Sequence, residues 1–209
     1  MKATYGYITR GKYNNDKNPK VIKEMNDYGI EFASHTHTHM DLNLNKINKI
    51  NKINKINKIN KISLDLFESL NVLKSHNINN PGLICPFNRI NTKTLNNIIE
   101  LFNFKYIIYE SSTVNNFIKF ANLKNATKYN LLRIEFPTED QPKEYIDKLY
   151  NILKNLKDDD IPIIMFHNIC DYKINTNVKI DIFENFLKYI QENNFNTFTI
   201  SEIIDNLNN

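Results

Sequence analysis

KATYGYITRGKYNNDKNPKVIKEMNDYGIEFASHTHTHMDL, residues 2–42, reads as a strand, a helix and a second strand in succession. The alternating, β-prone KATYGYI predicts the first strand. In NPKVIKEMNDYG, Pro19 suits a first helical turn, Val21, Ile22 and Met25 form an apolar stripe, and Gly29 supplies the stop. IEFAS then reads as a strand running into SHTHTHMDL. A β-α-β unit of this kind implies parallel pairing.

The same alternation continues downstream. Helices are predicted over SLDLFESLNVLKSH, with Leu66, Leu70 and Leu73 on one side, and over NTKTLNNIIELFNF, PKEYIDKLYNILKNL and IDIFENFLKYIQENN. Strands are predicted at GLICPF, KYIIYES, LLRIEFP, IPIIMFHNI and FNTFTI, the last followed by a short terminal helix. The near-continuous apolar run of IPIIMF suits a strand buried on both faces. The fold class is α/β, and either a barrel or an open doubly wound sheet fits the pattern.

One segment breaks the rhythm. From Asn45 to Ile62 the triplet Asn-Lys-Ile repeats six times. A period of three drifts around a 3.6-residue helix, so the isoleucines cannot all face one core. A coiled coil needs a mean spacing near 3.5. Residues 45–62 are therefore a low-complexity insertion, a surface helix or loop, inside a single domain spanning 1–209. The Asn, Lys and Ile bias suggests an AT-rich genome.

Bulk properties exclude several functions. The chain has 209 residues, 41% hydrophobic and 24% charged, which is ordinary for a globular domain. Four glycines and no Gly-rich phosphate motif argue against a nucleotide cradle. The six lysines of the repeat more than account for the net charge of +4, with no nucleic-acid signature beside them, so nucleic acid is not an expected partner. No apolar run approaches the ~20 residues of a membrane span. The opening lacks the apolar core of a secretion signal, which leaves two expectations, action inside the cell or a true N-terminus upstream of Met1, and the localisation unassigned. Cys85 and Cys170 are too few for a disulfide scaffold and read as free thiols.

Three of the five histidines, His35, His37 and His39, fall within five residues at the end of a predicted strand, where α/β enzymes place their sites. In an extended strand all three share a face; in a helical turn only His35 and His39 are neighbours. Either geometry lets His35 and His39 share one ion, and the alternative is a His-rich surface loop. His167 ends the strand IPIIMF and suits proton transfer near neutral pH, or else is a hydrogen-bonded structural histidine. His76 reads as a favourable charge at a helix end. Cys85 and Cys170 read as small core residues or as members of a mixed His/Cys site.

Together these segments resemble the polysaccharide deacetylases of carbohydrate esterase family 4. EFASHTHTHMDL is similar to the family's metal motif, Ser-His-Thr, two variable residues, His, and Leu three residues on. The resemblance implies that His35 and His39 ligate Zn2+ or another divalent metal and that His37 is a variable position. GLICPFNRIN is similar to an aromatic-Pro-aromatic-Gly turn found in part of the family; Pro86 and Phe87 fit as substrate-binding residues, with Asn88 where Gly is usual. RIEFP resembles the middle strand. IPIIMFHNI, then FENFLKYIQENNFNTFTISEII, resemble the closing section, whose histidine, here His167, is the catalytic acid.

The family's first strand ends in an Asp-Asp-Gly motif that supplies the general base and a third metal ligand. No such string occurs here; Asp158, Asp159 and Asp160 fall in a helix-to-strand turn far downstream. KATYGYI corresponds to the family's second strand, and neither the family's arginine motif nor its tryptophan is recognisable. The resemblance thus implies an incomplete (β/α) barrel, a distorted TIM-like barrel missing its first strand, with an N-terminal segment as a partner. Of the two expectations for the start of the chain, the absent first strand favours a true N-terminus upstream of Met1. Such a barrel leaves strand edges unpaired.

The implied activity is metal-dependent hydrolysis of N-acetyl groups on a polysaccharide, with an N-acetylated polysaccharide as partner; family members often act at the cell envelope or outside the cell. Asp41, two residues beyond His39, is an alternative ligand. The competing expectation is an inactive remnant, or a partner-dependent fragment, with weak sugar or metal binding.

Overall fold

The computed structural model describes residues 1–10, 19–43, 52–116, 120–138, 140–172 and 176–207, with the backbone alone at 52–58 and 121. The chain forms two compact units, Met1–Tyr109 with Thr197–Asn209, and Glu110–Asn196. In the first unit lie β1 (Ala3–Tyr7), α1 (Pro19–Asp27), β2 (Ile30–Ser34), α2 (Lys52–Ser75), β3 (Leu83–Ile84), a 3-10 turn (Pro86–Asn88), α3 (Thr92–Leu101) and β4 (Ile107–Ile108). In the second lie β5 (Glu110–Ser112), β6 (Ala121–Asn122), β7 (Leu132–Glu135), α4 (Glu144–Lys154), β8 (Asp160–Ile161), β9 (Ile163–Met165), β10 (Asn168–Ile169), β11 (Asn177–Val178) and α5 (Ile180–Glu192). The last helix, α6 (Ile200–Leu207), belongs to the first unit.

The β-α-β reading of residues 2–34 holds. Pro19 opens α1, Ile22 is buried, and Gly29 takes φ +85, a conformation that side chains resist. β1 and β2 pair in parallel, from Ala3 opposite Ile30 to Tyr7 opposite Ser34. β3 and β4 extend the sheet in the order β1-β2-β3-β4, all parallel. The core on one side gathers Tyr7, Ile22, Phe32 and Leu73, with Phe32 edge-on to Tyr7 at 6.0 Å between ring centres.

α2 is longer than the sequence pattern predicts, because the helix from Ser63 continues back through the repeat to Lys52. Residues 45–51 of the repeat lie outside the described residues. Ile62 is buried, and it lines a shallow apolar groove with Ile59 against Ile98 and Leu101 of α3. The period-three spiral therefore turns its last isoleucines inward where α3 offers cover.

The stretch FNTFTI is not a strand. Its Thr197 hydroxyl instead accepts from Lys2 N at 2.8 Å, and Ile200 N donates to Thr4 Oγ1 at 3.0 Å. Glu31 fastens the same region, accepting from Thr4 Oγ1 at 2.7 Å and from Ser201 N at 3.2 Å.

In the second unit β5, β7 and β9 form a parallel sheet in that order. Its core includes Ile134, Phe136, Leu149, Leu153 and Phe186. KYIIYES divides at Tyr109, giving β4 to one unit and β5 to the other. Two-residue ladders, β6 with β8 and β10 with β11, complete the described strands.

Candidate functional site

In the parallel sheet of the first unit, strand C-termini share one edge, and that edge is where α/β proteins carry their chemistry. His35 follows β2 there, and Pro86 follows β3. His35 N donates to Tyr7 O at 2.9 Å, continuing the ladder one residue past the strand. The chain then leaves β geometry: Thr36 has φ 66 and His39 φ 57. Each non-glycine residue in that region costs about 1–3 kcal/mol and persists only where its surroundings over-determine it.

Those surroundings are extensive. Thr36, fully buried, accepts from Met40 N through Oγ1 at 2.9 Å. Arg10 N donates to His37 O at 2.8 Å. Asp65 of α2, 6% exposed, accepts from His37 N at 2.7 Å and from Thr38 N at 3.1 Å and Oγ1 at 2.5 Å. Ser34 and Ser69 hydroxyls meet at 2.9 Å beneath the loop.

The result separates the histidines. The rings of His35 and His39 lie 4.9 Å apart between centres at 61°. His37 turns elsewhere, with Nδ1 at 2.9 Å from Thr9 Oγ1. Neither a strand nor a helical turn describes the loop. Its left-handed residues bring positions 35 and 39 together and exclude 37.

His35 Nδ1 lies 2.7 Å from Ile84 O. A carbonyl only accepts, so Nδ1 carries the proton and the lone pair of the neutral ring falls on Nε2. A histidine that ligates a metal is commonly fixed in this manner. The donor set thus fits two imidazole ligands of a divalent ion. Among the described residues no group of three or more His, Cys, Asp and Glu side chains forms that could hold a metal.

Beside this pair the chain turns sharply. Phe87 and Asn88 have φ 58 and 51, so the asparagine occupies the left-handed position that glycine favours. Pro86 is buried, while Phe87 is 54% exposed and its ring sits 4.7 Å from that of His39. Arg89 lies over the Phe87 ring at 5.4 Å and reaches Asp41, donating from Nη2 at 2.6 Å and Nε at 3.3 Å. Asp41 therefore spends its carboxylate on Arg89 and on Asn43 N, at 2.9 Å.

A polysaccharide deacetylase family model matches residues 1–106. The chain belongs to the polysaccharide deacetylase family. No curated protein matches it. Membership supports a deacetylase, a hydrolase, and with it a polysaccharide substrate. The deacetylase match takes in His35, His39, Pro86 and Phe87, and His167 lies beyond it. Among the described residues no helix is long and apolar enough to cross a membrane.

His167 belongs to the second unit and follows β9. Phe166 is held in that unit's core, stacked on Phe136 at 4.7 Å and edge-on to Phe183 at 5.0 Å. The next residue, His167, emerges into solvent. Cys85 is buried and Cys170 half-buried, neither in a disulfide.

Asp65 was not legible as a site residue because its partners are backbone amides nearly thirty positions earlier. One signal did exist. It shares the helical stripe of Ile62, Leu66, Ser69 and Leu73, where an unpartnered charge is costly.

Proposed function

We propose that this polysaccharide deacetylase removes N-acetyl groups from a polysaccharide with the help of a divalent metal held by His35 and His39. The observation that carries the reading is the His35 Nδ1 bond to Ile84 O, which leaves metal-binding capacity to Nε2 of a ring whose centre lies 4.9 Å from that of His39. A bound zinc or similar ion supplies Lewis acidity at the acetamide carbonyl and at water. The exposed Phe87 ring offers an apolar face to a sugar, and buried Pro86 fixes the turn that presents it. His167 gives a proton to the departing amine.

Within each unit taken by itself the described strands, β1-β2-β3-β4 and β5-β7-β9, advance in chain order, as strands do in (β/α) barrels.

The test is zinc content after exhaustive dialysis, beside His35→Ala/His39→Ala, followed by amine release from N-acetylated oligosaccharides. About one zinc per chain, lost in the double variant, is the expected result. His167→Ala should keep the metal and lose at least about 100-fold in rate, the usual contribution of a general acid. A folded wild-type chain that retains no zinc overturns the activity and leaves the remnant reading, which the lack of a third ligand among the described residues favours.

A further inference from the structure

We propose that Asp65 is a positioning residue for the His35–His39 pair, acting through the backbone of the loop that joins them. This rests on the metal-site reading above. Asp65 touches neither imidazole. It fixes the two residues before His39, and both its oxygens are used: Oδ1 takes His37 N–H, and Oδ2 takes the Thr38 amide and hydroxyl.

Two features make these bonds more than loop decoration. The loop contains two left-handed residues, Thr36 and His39, and the rings meet only while both hold that conformation. Backbone of this kind persists where neighbours over-determine it. From the sheet side the ties are Tyr7 O, Thr9 and Arg10 N; from the helix side they are Ser69, through the Ser34 hydroxyl that takes Thr36 N–H, and Asp65, which reaches Thr38 next to His39. Its carboxylate is also placed on the buried stripe of α2, between Ile62 and Leu66. Burying a charge there is tolerable because three donors converge on it, and bonds to an ionised acceptor are the stronger kind.

The chemistry of the acceptor supplies the experiment. Asparagine has the shape of aspartate but only one acceptor oxygen. With that oxygen facing His37 N–H, its NH2 group confronts the Thr38 backbone N–H, while the Thr38 hydroxyl can turn to accept from it. Asp65→Asn therefore sets donor against donor at the Thr38 amide with almost no change in volume, and Asp65→Glu keeps both oxygens one methylene further out.

The full chain would be titrated with Co2+ and followed by visible absorption, beside Asp65→Asn, Asp65→Glu and a control, Ile22→Val, which thins the core away from the loop. Exchange of the His37 and Thr38 amides would be measured in the metal-free proteins. Wild type is expected to bind Co2+, and Asp65→Asn to bind about 10–100-fold more weakly with altered bands, the usual loss from a supporting partner. Glutamate should recover part of the affinity, and Ile22→Val should keep all of it. In Asp65→Asn the two amides should exchange at least tenfold faster while those of β1 and β2 do not.

Affinity within twofold of wild type in Asp65→Asn overturns the positioning role and leaves the metal site standing. So does an equal loss in the control. A wild-type chain that takes up no Co2+ overturns the metal site itself, and the positioning role with it. If Asp65→Asn does not fold, Thr38→Val decides, since it removes one donor; unchanged affinity there rejects the role.

Discussion

Gly82→Ala should be among the most damaging single-atom additions to this protein. An added Cβ would lie 2.5 Å or closer to Cδ2, Cε2 and Cζ of Tyr106. Carbon atoms rest at about 3.5–4.0 Å, so the ring has to retreat by about 1 Å or more. It has nowhere to go, because Tyr106 is fully buried. The backbone cannot yield either. Gly82 O accepts from Ser34 N at 2.8 Å, Leu83 N donates to Tyr106 O at 2.8 Å, and Lys105 N to Pro81 O at 3.1 Å. Overpacking a core costs about 1–3 kcal/mol, and this geometry calls for the upper end, about 3 kcal/mol. In a chain of this length each kcal/mol lowers Tm by about 2–4 °C, so the expected fall is about 6–12 °C. Thermal unfolding followed by circular dichroism reads it directly. The double variant with Tyr106→Leu should be more stable than the sum of the single effects by about 1 kcal/mol or more. A fall of less than about 2 °C in Gly82→Ala, or strict additivity in the double variant, would refute the steric reasoning.

Asn91 caps α3, its side chain accepting from Thr94 N at 3.0 Å, so Asn91→Ala should cost about 1 kcal/mol and lower Tm by about 2–4 °C. Burial pushes the Tyr106 phenol well above its usual 10.0, and the negative charge of Glu31 adds to the shift. The native chain then holds a proton that the unfolded chain releases. Stability from this group is complete below pH 10 and drains away as pH rises toward the folded value. Tyr106→Phe should flatten the decline of Tm above about pH 10, and an unchanged slope would contradict the assignment.

Where a segment decides its own conformation, the sequence is a good guide here. Pro19, Ile22 and Gly29 announce α1, and its strand partners follow from alternation. The failures lie where distant contacts decide. FNTFTI has the composition of a strand, yet its Thr197 and the following Ile200 spend their polar groups on Lys2 and Thr4. β6, β8, β10 and β11 are two-residue ladders set by their partners, below the length at which alternation is visible. At the candidate site, spacing left both a strand and a helical turn open for the histidines. The loop chose neither, since left-handed Thr36 and His39 depend on Asp65 and the β1 edge, contacts that no local pattern encodes. Phe87 and Asn88 repeat the lesson: the left-handed turn was foreseeable by analogy with a glycine, and its placement against His39 was not.

The continuous helix from Lys52 to Ser75 also bears on how the gene can change. The tract is a tandem array of identical three-residue units, so its length can change by whole units. A unit gained or lost within a helix shifts the chain by about 4.5 Å and about 300°. Helical phase, however, is counted from the anchored end, where Ile59 and Ile62 grip α3 and Asp65 grips the histidine loop. Units inserted ahead of Ile59 leave those three in register. Alleles of different tract length should therefore encode proteins with the same histidine geometry, and selection on the site should be blind to the repeat number.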